Sequence, residues 1–212
     1  MQEGANPGQI VILNGTPRSG KTSIASVIQQ TYAGVWLNLG VDRFMDVTPE
    51  AYRPGIGLRP GGERPDLEAV IVTLYRAMYE SIAACSRLGL NVVVDVGHHD
   101  AYSTPRRILS QCAGILQGLP VLFVGVRCPL SVIMERRMTT WKSSFAEDGS
   151  VPKPICLWQE AVHRPGIYDL EVDTSRLSPQ DCARVIRRRL EHNGTGTAFP
   201  YLAEDSWSAT PP

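Results

Sequence analysis

Five short apolar runs punctuate the chain, at residues 9–14, 35–39, 91–96, 121–127 and 169–173. The first, third and fourth are almost unbroken in Val, Ile, Leu and Phe, the pattern of a parallel strand covered on both faces. Between the runs the apolar spacing changes. Over residues 66–88, Leu67, Val70, Ile71, Leu74, Met78 and Ile82 recur three or four residues apart, the stripe of an amphipathic helix. Helical patterns also cover 21–32, 103–116, 129–141 and 178–192, the last opened by a Ser cap with Pro at the first helical position. Strands alternating with helices predict an α/β fold, a parallel sheet with right-handed crossovers.

Three stretches break the pattern. Residues 48–65 hold four prolines and read as a loop or lid. Residues 145–154 are polar, with Gly and Pro, and interrupt the chain between the fourth and fifth strands. The end, 193–212, reads as a loosely held tail unless Phe199, Tyr201 and Trp207 dock on the body. The expected organisation is one domain over 1–192, with a lid region about 129–165, and a tail over 193–212.

Composition narrows the partners. The formal charge is zero, so no global field draws in nucleic acid or an anionic membrane. No run approaches 18 consecutive apolar residues. Cys85, Cys112, Cys128, Cys156 and Cys182 are scattered without metal spacing, and residues 1–8 are polar, so free thiols and a cytoplasmic location are expected. Lys occurs only at 21, 142 and 153, the other basic residues being Arg.

One of those lysines carries the strongest motif. Gly15-Thr16-Pro17-Arg18-Ser19-Gly20-Lys21-Thr22 fits Gly-x-x-x-x-Gly-Lys-Ser/Thr in full, after an apolar run and before a helical one. Glycines let backbone N–H groups curl round a β-phosphate, and the positive end of the following helix points at the same anion. Lys21 would bridge the β- and γ-phosphates, and Thr22 would offer its hydroxyl to Mg²⁺. The plain alternative is a glycine-rich turn. The motif predicts a P-loop NTPase fold that takes ATP and Mg²⁺.

Ligands of open α/β sheets sit outside the carboxyl ends of the strands. Asp42 follows the second run and is either a general base or a helix cap. Asp95 ends the third run, where an acidic residue holds Mg²⁺ or its water, or merely bonds Thr22. His98, His99 and Tyr102 follow, as substrate contacts or a solvated loop. Phe44 and Met45 would add apolar contact to a substrate.

These residues resemble a family, the chloramphenicol 3-O-phosphotransferases and chloramphenicol phosphotransferase-like proteins. The likeness runs from about 9 to 192. It rests on Ile12-Leu13-Asn14-Gly15, Trp36-Leu37, Leu39-Gly40-Val41-Asp42, Val93-Val94-Asp95, Val124-Gly125-Val126-Arg127-Cys128, Glu135-Arg136 and residues 168–174. The resemblance implies an adenylate-kinase-like core, a five-stranded parallel sheet flanked by helices with a small lid. It also implies a phosphotransferase that moves the γ-phosphate of ATP to a hydroxyl of chloramphenicol or a similar compound, an antibiotic-resistance activity. Asp42 takes the base position, Arg136 resembles a lid arginine that neutralises the transferring group, with Arg137 able to replace it, and Asp173 and Thr174 resemble the loop beside adenine. The third strand ends Asp-Val-Gly-His-His, where the drug kinase carries a second acidic residue. The alternatives are a nucleoside or sugar kinase, a nucleotide-binding module without transfer, and an enzyme of nucleic-acid ends, which the zero net charge disfavours. A homo-oligomer stays open.

Overall fold

Every residue of β1 (Ile10–Asn14) is buried, as its unbroken apolar run requires of a central strand. It pairs in parallel with β3 (Asn91–Val96) on one side and β4 (Val121–Arg127) on the other. The edges are β2 (Trp36–Asn38) and β5 (Leu170–Asp173), in the order β2-β3-β1-β4-β5. This computed structural model describes residues 6–141, 145 and 149–204. Trp207, expected to dock the tail, lies outside them.

Alternation along the strands divides the core in two. Ile10, Ile12, Val92, Val94, Val121 and Phe123 face one layer, and Val11, Leu13, Val93, Leu122 and Val124 the other. The first layer is covered by α3 (Pro65–Arg87) and α4 (Ile108–Ile115), the second by α1 (Lys21–Thr31) and α7 (Pro179–Asn193). The expected stripe on α3 is real: Leu67, Ile71, Met78 and Ile82 are buried. The cap on α7 is real as well, since Ser178 accepts from the Asp181 N–H.

The structure departs from the sequence pattern in three places. The helix expected from 103 begins only at Ile108. Asp100 accepts from the Arg106 and Arg107 N–H groups, and fully buried Glu68 accepts from the Ser103 N–H, its hydroxyl and Arg106, so the intervening chain is held as a loop. Residues 48–65 are not a solvated lid, because two 3₁₀ turns carry Ile56 and Leu58 into the core. A helix that the pattern missed, α6 (Lys153–Ala161), follows α5 (Leu130–Trp141). It is tied down by Gln159 donating to the Cys128 carbonyl and by Asn14 donating to the Val162 carbonyl.

The tail takes the docked alternative that the sequence left open. Helix α8 (Ala198–Ala203) buries Phe199 and Leu202 in the same core as Phe123 and Tyr79, while Tyr201 is half exposed. Each buried side chain contributes about 1.5–3 kcal/mol. The Asp169 carboxylate accepts from the Thr197 and Ala198 N–H groups. A boundary after 192 therefore cuts through a packed layer.

Candidate active site

The phosphate loop leaves β1 through Gly15, whose N–H donates to the Val96 carbonyl. A Cβ there would stand 2.5 Å from the Val126 carbonyl oxygen, so only glycine passes between the two strand ends. Arg18 and Gly20 take positive φ, 70° and 96°. The first backbone bond of α1 runs from Ile24 N–H to the Gly20 carbonyl. The N–H groups of Lys21, Thr22 and Ser23 precede it and have no acceptor within the helix, the anion-binding end of α1. The Lys21 ammonium folds back on the carbonyls of Gly15 and Thr16, 2.8 Å from each.

Two carboxylates converge on that lysine. Asp95 Oδ2 accepts from the Thr22 hydroxyl at 2.7 Å. Its Oδ1 lies against Gly40, where a Cβ would stand only 1.7 Å away. Gly40 caps α2 (Val41–Asp46), and its N–H donates to Asn38 Oδ1, so the bare Cα lets the exposed Asp42 approach Asp95. Burial pushes the Lys21 pKa down to about 8, with Asp95 and Asp42 pulling it back up. Although the residue as a whole is exposed, partial shielding of its carboxylate and then the Asp95 charge raise the pKa of Asp42, against the pull of Lys21. The Thr22 hydroxyl and the Asp95 carboxylate are hard oxygens within one hydrogen bond of each other, a donor pair that fits Mg²⁺ shared with water and phosphate oxygens.

Arg136, expected to neutralise the transferring group, is held beside the phosphate loop. Its Nη2 donates to the Thr174 carbonyl at 2.7 Å and its Nη1 to Thr174 Oγ1 at 3.1 Å and the Arg18 carbonyl at 3.3 Å. The Thr174 hydroxyl donates in turn to the Ser19 carbonyl at 2.7 Å. These bonds staple the turn after β5 to the phosphate loop, beside Gly20. Asp173 folds inward, accepting from the Ser175 N–H and hydroxyl. Arg137 has the charged surroundings instead: burial and then the Arg18 guanidinium hold its pKa below the usual arginine value.

On the acceptor side, His98 is a core residue and not a substrate contact. It is 2% exposed, its Nε2 lies 2.7 Å from the Tyr79 hydroxyl, and it stacks on Tyr75 at 4.7 Å. Burial pushes its pKa down to about 3. His99 bonds the Leu58 carbonyl and packs between Tyr102 and Trp158, in no solvated loop. Phe44 and Met45 are partly buried on α2, with Met45 Sδ filling the space that a Cβ on Gly57 would take. Sequence reasoning missed Trp158, because residues 145–154 read as irregular and the helix that opens at Lys153 went unrecognised. It also passed over Asn14, which accepts from the His98 N–H and donates to the Tyr168 hydroxyl, locking the acceptor loop to the end of β1.

An all-parallel five-stranded sheet with a phosphate loop at the mouth of α1 defines a P-loop protein of the kinase type. The chain belongs to the chloramphenicol phosphotransferase-like protein family, whose pattern it matches over residues 8–191. It is thus a P-loop phosphotransferase. A Mycobacterium tuberculosis protein provisionally named an O-phosphotransferase is 25% identical over 201 residues, 85% of this chain and 81% of that one. The fold is similar to an adenylyl sulfate (APS) kinase of M. tuberculosis solved with AMPPNP and APS, with a TM-score of 0.61 at 18% identity, covering 87% of this chain and 98% of that one. It is also similar to a sugar kinase from a Janibacter species, with a TM-score of 0.59 at 19% identity, covering 93% and 99%. Among the described residues, no helix is long and apolar enough to cross a membrane.

Proposed function

We propose that the protein transfers the γ-phosphoryl group of ATP to a hydroxyl of a small molecule. The convergence of Lys21, Thr22, Asp95 and Asp42 carries this reading: a module needing only to bind nucleotide has no use for a carboxylate of raised pKa on the acceptor side. The triphosphate lies along residues 15–22, with Lys21 on its β- and γ-phosphates. Thr22 and Asp95 would hold Mg²⁺, which supplies charge neutralisation on the phosphate oxygens. Asp42 takes the proton of the acceptor hydroxyl as that oxygen bonds to the γ-phosphorus. The bond from that phosphorus to the bridging oxygen breaks, and ADP leaves. Arg137 with Arg18, rather than Arg136, neutralises the transferring group. Helix α6 lies over the ends of β1 and β4 and excludes water that would otherwise hydrolyse ATP.

Family membership puts chloramphenicol first among acceptors to test, followed by sugars and nucleosides. The experiment is transfer from γ-labelled ATP across that panel, with wild type and Asp42→Asn. Loss of one general base lowers kcat by about 10²–10⁴ and leaves ATP affinity near wild type. Wild-type transfer by Asp42→Asn would remove Asp42 from the mechanism. ATP binding without transfer to any acceptor would make the protein a nucleotide-binding module.

A further inference from the structure

A buried polar atom without a partner costs about 1–3 kcal/mol, so each one asks for an explanation. Two of opposite character occur where α6 meets the loop after β3. The Trp158 indole Nε1–H and His99 Nδ1 are both enclosed and without a hydrogen-bond partner. Their rings meet edge to face, centroids 5.8 Å apart at 82°. A Cβ on Gly97 would stand 3.2 Å from Trp158 Nε1 and 3.4 Å from the Gly15 carbonyl oxygen. That carbonyl accepts from Lys21, so the indole adjoins the phosphate loop.

The hydrogen-bond sense of each atom is fixed. An indole N–H only donates. His99, 6% exposed, places Nε2 3.0 Å from the Leu58 carbonyl, an acceptor, so Nε2 carries the proton. Burial lowers the His99 pKa, the ring is neutral, and Nδ1 keeps its lone pair. A hydroxyl oxygen meets both needs, accepting from Trp158 and donating to His99; water can do so in the free protein, and an alcohol of the acceptor can take its place.

We propose that Trp158 and His99 recognise a second hydroxyl of the acceptor, beyond the one that Asp42 deprotonates, so the substrate class is a compound with at least two hydroxyls. The inference rests on the transfer reaction proposed above. Neither atom is open to solvent, so this proposal requires α6 to move aside for the acceptor to enter. An alcohol with only the reacting hydroxyl leaves both atoms unmet, which is the basis of discrimination.

The test compares wild type and Trp158→Phe with ATP on chloramphenicol and D-glucose, both of which carry more than one hydroxyl, on the monodeoxy analogues of D-glucose, and on 1-propanol. Transfer to a polyol is expected, with kcat/KM at least about tenfold lower when the second hydroxyl is missing. Trp158→Phe should raise KM for the polyol about tenfold, leave KM for ATP unchanged, and lose nothing further on the deoxy analogue. Its melting temperature should hold or rise, because an unmet donor is gone. The deoxy series on wild type reads the same contact with no substitution, so a variant that misfolds does not remove the test. Equal efficiency on 1-propanol and a polyol, or a wild-type KM in Trp158→Phe, overturns this inference and leaves the transfer reaction standing. No transfer to any acceptor while ATP still binds overturns the reaction and this inference with it.

Discussion

Replacing Gly40 by Ala adds one methyl group at φ −70° and ψ 173°, a backbone conformation open to any residue, so the whole effect must come from what the methyl meets. It meets Asp95: Oδ1 at 1.7 Å, Cγ at 2.9 Å and the backbone nitrogen at 3.1 Å. A carbon–oxygen contact settles near about 3.3 Å, so one side must retreat by about 1.6 Å. If the carboxylate turns away, the Thr22 hydroxyl loses its acceptor and the pair proposed to hold Mg²⁺ separates. If α2 moves out instead, Asp42 is carried away from the place proposed for the acceptor hydroxyl. A misplacement of about 1 Å costs on the order of 10²-fold in rate. Overpacking with one lost hydrogen bond costs about 1–3 kcal/mol of stability, a fall of roughly 2–12 °C in Tm for a chain of this size. Steady-state transfer kinetics and a thermal melt of Gly40→Ala measure both. An enzyme with wild-type kcat and Tm would show that Asp95 and Asp42 are not held together through a bare Cα, and the site as described would be wrong.

The proposed base Asp42 would have to be ionised, and its raised pKa then places the acid limb of the kcat/KM profile above the ordinary carboxylate value of about 4; a limb at that value speaks against the assignment. His98 stays neutral in the fold with a pKa of about 3 but binds a proton near 6.5 once unfolded, so unfolding takes up a proton and stability falls as pH drops from 6.5 toward 3, by about 1.4 kcal/mol per pH unit at most. Urea melts of wild type and His98→Gln between pH 7 and 4 should show the shallower slope in the variant, and parallel slopes would contradict the burial argument. Arg136→Ala should weaken ATP binding and lower Tm by undoing the Thr174 staple, whereas Arg137→Ala should cut kcat about 10²-fold with ATP affinity retained. Isothermal titration beside turnover separates the two, and the reverse pattern would restore Arg136 to the phosphoryl group.

The sheet and the nucleotide half of the site were legible because their signals are local. A strand buried on both faces reads as one apolar run, and β3 and β4 fall where their runs do. The phosphate loop is contiguous, so eight neighbouring residues carry the chemistry. The acceptor half is assembled from 38–46, 97–102 and 153–162, and no spacing along the chain reports that Gly40 yields to Asp95 or that Asn14 holds Val162. Arg136 and Arg137 are neighbours on one helix, and only the position of Thr174, far along the chain, decides which one is spent on structure. His98 failed for a related reason. A polar pair after a strand reads as exposed until Tyr79, on α3, supplies the hydroxyl that lets it stay inside.

The docking of α8 bears on how the chain reaches its fold during synthesis. The phosphate loop is made long before α8, yet one face of the sheet stays incomplete until Phe199 and Leu202 arrive to cover Phe123 and Tyr79. A chain cut before α8 therefore keeps its phosphate loop while apolar surface is bare. Such a chain is expected to be prone to aggregation, and folding of this layer waits for α8.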